Sequence, residues 1–307
     1  MRAYVLSGLL KWGWIILTAG SKALWAQVSF DSDDPQYFQK YGLPYQKVHT
    51  KLSEALRRPG EVVKLKLKDE YIPDKVSRLS RLVNLQILDL DNVFLEELPE
   101  ALGHMPQLLI LVSRRNRIKK INPGLARAGS LMYMELYGTA LDSLPSSLSR
   151  LTRLELLRVG PNYADTLRLS PQLARLHSMR DLQFLDCNLY QFPEWITALP
   201  RLERLVLIRC QLDTVNVSLK HMSHLKAIDL SGNRFRVLPR PLLDVPNLEY
   251  LGLRDNQLVE LPEHLLFLRK LQTLDVRGNP IRPDNLRLLR LALPRCRILW
   301  EPPGASR

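Results

Sequence analysis

Cysteine is almost absent, with three residues in 307. So few cannot form a disulfide scaffold, so the fold must be held by its core. Aromatic residues make up only 7% of the chain, and leucine carries most of the apolar content. Catalytic signatures are missing too. There is no glycine-rich loop to cradle phosphate, no G-x-S-x-G and no H-E-x-x-H. His221 and His224 could share one side of a turn, but no carboxylate or cysteine completes a ligand set at the usual spacing. The reading is therefore of a non-enzyme with no catalytic residues, no metal and no small-molecule cofactor. Hydrophobic residues reach 46% and charged ones 24%, which suits a folded chain and excludes a disordered one.

Acid is in deficit. The net charge is +13, a balance that favours anionic partners. The basic residues are spread along the chain, however, as expected if arginine coats a leucine-rich core. The densest group is Arg114, Arg115, Arg117, Lys119 and Lys120. It reads first as a solvated edge and second as a contact for an acidic polymer. No aromatics interleave with it, which argues against nucleic acid.

No apolar run is long enough for a bilayer span of about 20 residues. Lys11 and Lys22 interrupt the N-terminal one, and Trp12–Ala19 is its uncharged centre. Small residues then lead to Ala26. Residues 1–26 read as a signal peptide cleaved before Gln27, which would lower the net charge from +13 to +10 by removing Arg2, Lys11 and Lys22. Export follows, to the periplasm, the cell surface or the medium, with no membrane contact after cleavage. The alternative is a cytoplasmic signalling scaffold that keeps this segment.

What the sequence does have is self-similarity. From Leu88, equivalent apolar residues recur at Leu111, Met134, Leu157, Leu182, Leu205, Ile228, Leu251 and Leu274. The step is 23 residues, except for 25 between Leu157 and Leu182. Each copy follows L-x-x-L-x-L-x-x-N-x-L. Leu248, Leu251, Leu253, Asn256 and Leu258 fill all five places, and Leu261-Pro262 then leads to Leu265, Leu268 and Leu271. The x-L-x-L part alternates with the period of a strand. The L-P-x-x-L-x-x-L part has the three-residue step of a 3₁₀ or helical turn, with proline at its entry. An incomplete copy lies at Leu65, Leu67, Leu79 and Leu82.

From Val62 to Asn279 the chain resembles the leucine-rich-repeat family, in its 23-residue class. With residues 1–26 it is similar to an exported protein of bacterial type. The resemblance implies an α/β solenoid. This is a curved right-handed coil with a parallel sheet on its concave face and short helical or 3₁₀ segments on its convex face. The asparagine column reads Val93, Asn116, Thr139, Asn162, Cys187, Cys210, Asn233, Asn256 and Asn279. Such asparagines can satisfy buried backbone groups of the bend; Val93 cannot, so a looser first copy is expected. Cys187 and Cys210 fall one coil apart, close enough for a disulfide but ordinary as small buried residues.

The chain divides into residues 1–26, a lead-in with a capping helix over 27–61, repeats over 62–281, and a C-terminal cap and tail over 282–307. The first cap is expected as a helix over Tyr45–Arg58 and the last as one begun by Asp284 and closed by Pro294. Residues 27–44 read as acidic, aromatic and turn-rich.

Function should lie on the outward strand positions. Ile87, Ile110, Val112, Tyr133, Tyr137 and Leu156 fall in adjacent coils, and Leu185, Val206 and Ile208 continue them. Exposed together they would form an apolar patch of the kind that marks an interface. Glu135 and Arg158 belong to a mixed-charge rim. A protein or peptide ligand is the expected partner.

Overall fold

The computed structural model describes residues 47–302, so the segment read as a signal peptide and the lead-in before Lys47 lie outside the described residues. Twelve strands form one parallel sheet in strict chain order. They are β1 (Val48–His49), β2 (Lys64–Lys68), β3 (Ile87–Asp91), β4 (Ile110–Arg114), β5 (Tyr133–Tyr137) and β6 (Leu156–Val159). Then come β7 (Asp181–Leu185), β8 (Arg204–Ile208), β9 (Ala227–Asp229), β10 (Tyr250–Gly252), β11 (Thr273–Asp275) and β12 (Arg297–Leu299). Each step from strand to strand is one turn of a solenoid.

The register follows the leucine column. Leu65 pairs with Leu88, Leu88 with Leu111, and Leu111 with Met134. The longer step does not break it, because Leu157 still pairs with Leu182. Asn162 and Cys187 hold equivalent places 25 residues apart, so the two extra residues lie in the loop between Asn162 and Leu167. These leucines, with the loop and outer-turn leucines, form one continuous core. No coil closes alone; each buries its leucines against its neighbours.

The outer wall is built from 3₁₀ turns such as Glu100–His104, Pro123–Arg127 and Glu263–Phe267, each entered by proline at or beside its first residue. The coil after β8 has no such turn. Val215-Asn216-Val217 stands there without the proline that the other coils carry at the entry to the turn, and the chain crosses in bends.

A second regularity was not visible as a pattern of residue types. Just beyond the strand the chain turns through a left-handed residue. The φ is positive at Asp69, Asn92, Arg115, Asp186, Arg209 and Asp255, and at Gly138, Gly232 and Gly278. Asn, Asp and Gly tolerate that region, whereas arginine does so rarely. Both arginines are anchored: Arg115 bonds in bidentate fashion to Asp91 at 2.7 and 2.6 Å, and Arg209 to Asp186.

The ends differ in detail from expectation. The first cap is not a helix over Tyr45–Arg58. Its helix α1 spans only Leu52–Ala55, with both end residues buried. Val48 and His49 are instead drawn into β1, where they satisfy the open edge of β2. At the other end, α2 (Pro283–Ala292) covers the last coil through Leu286 and Leu289. Arg282, not Asp284, holds the N-cap position, and Asp284 lies in the first turn. Asn285 ties α2 to the preceding coil through the backbone N–H and carbonyl of Leu261.

Candidate functional site: the concave face

The asparagine column explains why the strands stay in register on both faces. Asn233 Oδ1 accepts from the backbone N–H of Cys210 (3.0 Å) and Leu212 (3.1 Å). Its Nδ2 donates to the carbonyls of Leu207 and Leu230. Five coils earlier, Asn116 plays the same part: it accepts from Val93 N–H at 2.9 Å and donates to the Leu90 carbonyl. Val93 is therefore fully buried and held by the next coil, and the looser first copy is not found. Cys187 and Cys210 are free and buried, not joined. Their thiols donate to backbone carbonyls, Cys187 to Val159 and Cys210 to Phe184, the carbonyl position that the asparagine amide serves elsewhere. Burial pushes the Cys210 thiol up to about 12.

The other face of the sheet carries the predicted site. Ile87, Ile110, Val112 and Tyr133 form a second apolar cluster, separate from the leucine core, with Leu156 packed against it. Val206 and Ile208 lie further along on β8, outside this cluster, and Leu185 on β7 is half-buried. Tyr137 ends β5 and is 42% exposed. The expectation that these side chains stand open to solvent needs correction. Ile110 and Val112 have no exposed surface, and Tyr133, Ile87, Val206 and Ile208 are also buried.

The charged residues are corrected as well. Glu135 and Arg158 do not form a rim; both are buried in the middle of the face. They belong to a ladder that runs from strand to strand. Arg114 reaches back to Asp89 (3.3 Å) and forward to Glu135 (3.2 Å). Arg158 continues it, 3.5 Å from Glu135 and donating to Gln183 at 2.8 Å. Gln183 donates to Asp181, and Arg204 meets Asp181 at 3.4 Å. Tyr133 fastens the cluster to this ladder by donating its hydroxyl to Glu135 at 2.9 Å. Successive strands lie about 4.8 Å apart, so one long side chain per strand suffices to span each gap.

The ladder also accounts for the densest basic group. Arg114 is a rung, Arg115 is paired with Asp91, and Lys119 meets Glu96 at 2.9 Å. Acids of neighbouring coils thus neutralise much of what reads in sequence as an open basic patch. No single outward column alternates in sign: Asp89, Glu135 and Arg158 share one, with Val112 between the two acids, while Arg114, which bridges those acids, stands two residues further along its strand, so the ladder emerges only once the strands are stacked.

Further along, Asp229, Gly252 and Asp275 occupy the same outward column. A Cβ added at Gly252 would lie 2.6 Å from Asp229 Oδ1, so glycine is what lets Tyr250 lean to 3.5 Å from that carboxylate. Burial raises the Asp229 pKa, against the bonds it accepts from Ser231. His221 and His224 are both exposed, and among the described residues no three His, Cys, Asp or Glu side chains gather to hold a metal. No described helix is long and apolar enough to cross a membrane.

Solved structures with this architecture show what it is. An internalin, InlF, from Listeria monocytogenes superposes with a TM-score of 0.66 at 17% identity, over 83% of this chain and 71% of that one. TLR13, solved in a complex with ssRNA13, gives 0.69 at 22% identity, over 82% and 38% of the two chains. The chain is a leucine-rich-repeat solenoid. The plant peptide hormone receptor RGFR1 in complex with RGF2 adds a third case, at 0.59 and 20% identity over 84% and 42%. At such identities the shared property is the fold. In sequence, the solenoid is 31% identical over 156 residues to the disease resistance protein RML1A of Arabidopsis thaliana, a match spanning 50% of this chain and 15% of that protein. No protein-family model matches it.

Proposed function

We propose that this solenoid is a non-catalytic recognition module that takes a protein or peptide ligand across its concave face. One observation carries the reading: the sheet has a second apolar cluster on the face that the leucine core does not use. The solenoid does not need it to close. Apolar side chains on a second face serve to bury something else. Tyrosine suits such a place, since it offers apolar area and a hydroxyl together. The ladder beside the cluster is already paired, so its charges set register and exclude wrong partners more than they add affinity. Export, read from residues 1–26, belongs to the same proposal. N-terminal sequencing of the mature chain tests that part, with Gln27 as the expected first residue.

The ligand class is tested by selecting a displayed peptide library on the immobilised protein and titrating the enriched peptides at rising salt. Apolar recognition predicts affinities that change by less than about tenfold between low and high salt. A steep linear fall of log affinity with log salt would point to an acidic polymer instead and would contradict the proposal.

A further inference from the structure

At its C-terminal end the sheet has an open edge. β12 has one neighbour, β11, and among the described residues no strand lies beyond it. The Arg297 N–H donates to the Gln272 carbonyl at 2.8 Å, and the Leu299 carbonyl accepts from Val276 at 2.9 Å. In a parallel ladder such bonds belong to alternate residues, whose peptide groups turn to the neighbouring strand. Ile298 stands between them and so turns its N–H and carbonyl away from β11. A free edge is a template for another chain, and proteins guard it with short length, proline or charge.

The guard here is positive charge. Arg282, Arg287, Arg290, Arg295 and Arg297 lie on α2, on β12 or beside them, and all five are exposed. Residues 282–302 hold two acids, Asp284 and Glu301, so five positive and two negative charges leave this end at +3. None of the five arginines forms an ion pair among the described residues, whereas Arg114, Arg115 and Lys119 on the earlier coils are paired. Leu291 on α2, 75% exposed, adds apolar area at the same end. Two copies edge to edge would set these arginines against one another, and like charges facing across a strand pair are destabilising. An acidic strand is drawn in by the same field.

We propose that β12 is a docking edge for an extended acidic segment of another protein, which joins the sheet as a further strand. The main chain of that segment pairs with the Ile298 N–H and carbonyl, and its carboxylates meet the arginines in charge-assisted hydrogen bonds. This surface lies at the other end of the sheet from the concave cluster on β3 to β6, and it goes beyond the recognition proposed above. Its exposed charges make it the salt-sensitive surface of the two.

The probe is a synthetic decapeptide of alternating valine and glutamate, titrated onto the full chain beside its valine–lysine analogue. The glutamate peptide is expected to bind about tenfold or more tightly than the lysine one; equal binding, or none, overturns the proposal. Ile298→Pro removes the outward donor and no bond to β11, the edge position at which proline is tolerated. It is expected to weaken the glutamate peptide about tenfold with an unchanged circular dichroism spectrum, and unchanged affinity in the folded variant overturns the proposal. Amide exchange in the unaltered chain gives the same answer without a substitution. Saturation with the peptide is expected to slow exchange at Ile298 about tenfold and to leave Arg297, already bonded to Gln272, as it was. Slowing confined to the strands of the concave cluster, or none at all, overturns the proposal. An acidic peptide that Ile298→Pro releases is held at this edge, so its salt dependence leaves the concave-face reading untouched.

Discussion

A single residue type does much of the work that holds successive coils together. Asn233 closes two backbone N–H groups and two carbonyls at once, all of them buried. Its replacement by alanine leaves those groups without partners, and each orphaned buried group costs about 1–3 kcal/mol. Asn233→Ala is therefore expected to lower stability by about 3 kcal/mol or more, read as a shift of the urea midpoint. Cys210→Ala, which loses only weak thiol donors to Phe184 and Ile208, should cost about 1 kcal/mol, on the low side of single-site changes. Equal losses would show that the column acts by packing alone. The role of asparagine was legible in the sequence. That of the left-handed residue after each strand was not, because Asp, Asn, Arg and Gly share no side-chain property; they share a backbone conformation.

At the level of the strand, outward positions divide into an apolar stretch, a charge ladder and an acidic stretch. The acidic stretch makes a prediction about pH. Asp229 is buried with its pKa raised, chiefly by desolvation, while Arg204 draws it down and Asp275 pushes it up. A folded carboxyl whose pKa exceeds its unfolded value binds its proton more tightly in the native state. Its contribution to stability is fully present below the unfolded pKa, near 3.9, and is lost as pH rises through the raised native value. Asp229→Asn keeps an acceptor for Ser231 and removes the titration. The variant should therefore gain on the wild type as pH rises from about 4 to 7, seen in the difference between their melting temperatures. Parallel curves would contradict this account of Asp229. The sequence showed the acids of this column but not their burial. Alternation assigns side chains to a face; it does not say what covers that face.

For the whole molecule, the same limit explains what was read and what was missed. The leucine column fixed the number and register of coils, and the 25-residue step was absorbed in a loop without disturbing the sheet, since Leu157 still pairs with Leu182. The outward residues Ile87, Ile110, Val112 and Tyr133 were rightly grouped, because one repeat length carries each to the next strand. Their burial, and the conversion of Glu135 and Arg158 from rim to interior rungs, depend on contacts that periodicity does not encode. The central claim is that recognition uses this face and not the outer wall. It is tested by measuring the affinity of one selected peptide for two variants of the full chain. One is Leu156→Lys, beside the cluster; the other is Phe267→Lys, on the convex side and 67% exposed. Loss of a well-packed apolar contact costs on the order of 2 kcal/mol, roughly thirtyfold in affinity. The account predicts a loss of about that size for Leu156→Lys and no change for Phe267→Lys. Equal affinities for both variants, or a loss confined to Phe267→Lys, would contradict it.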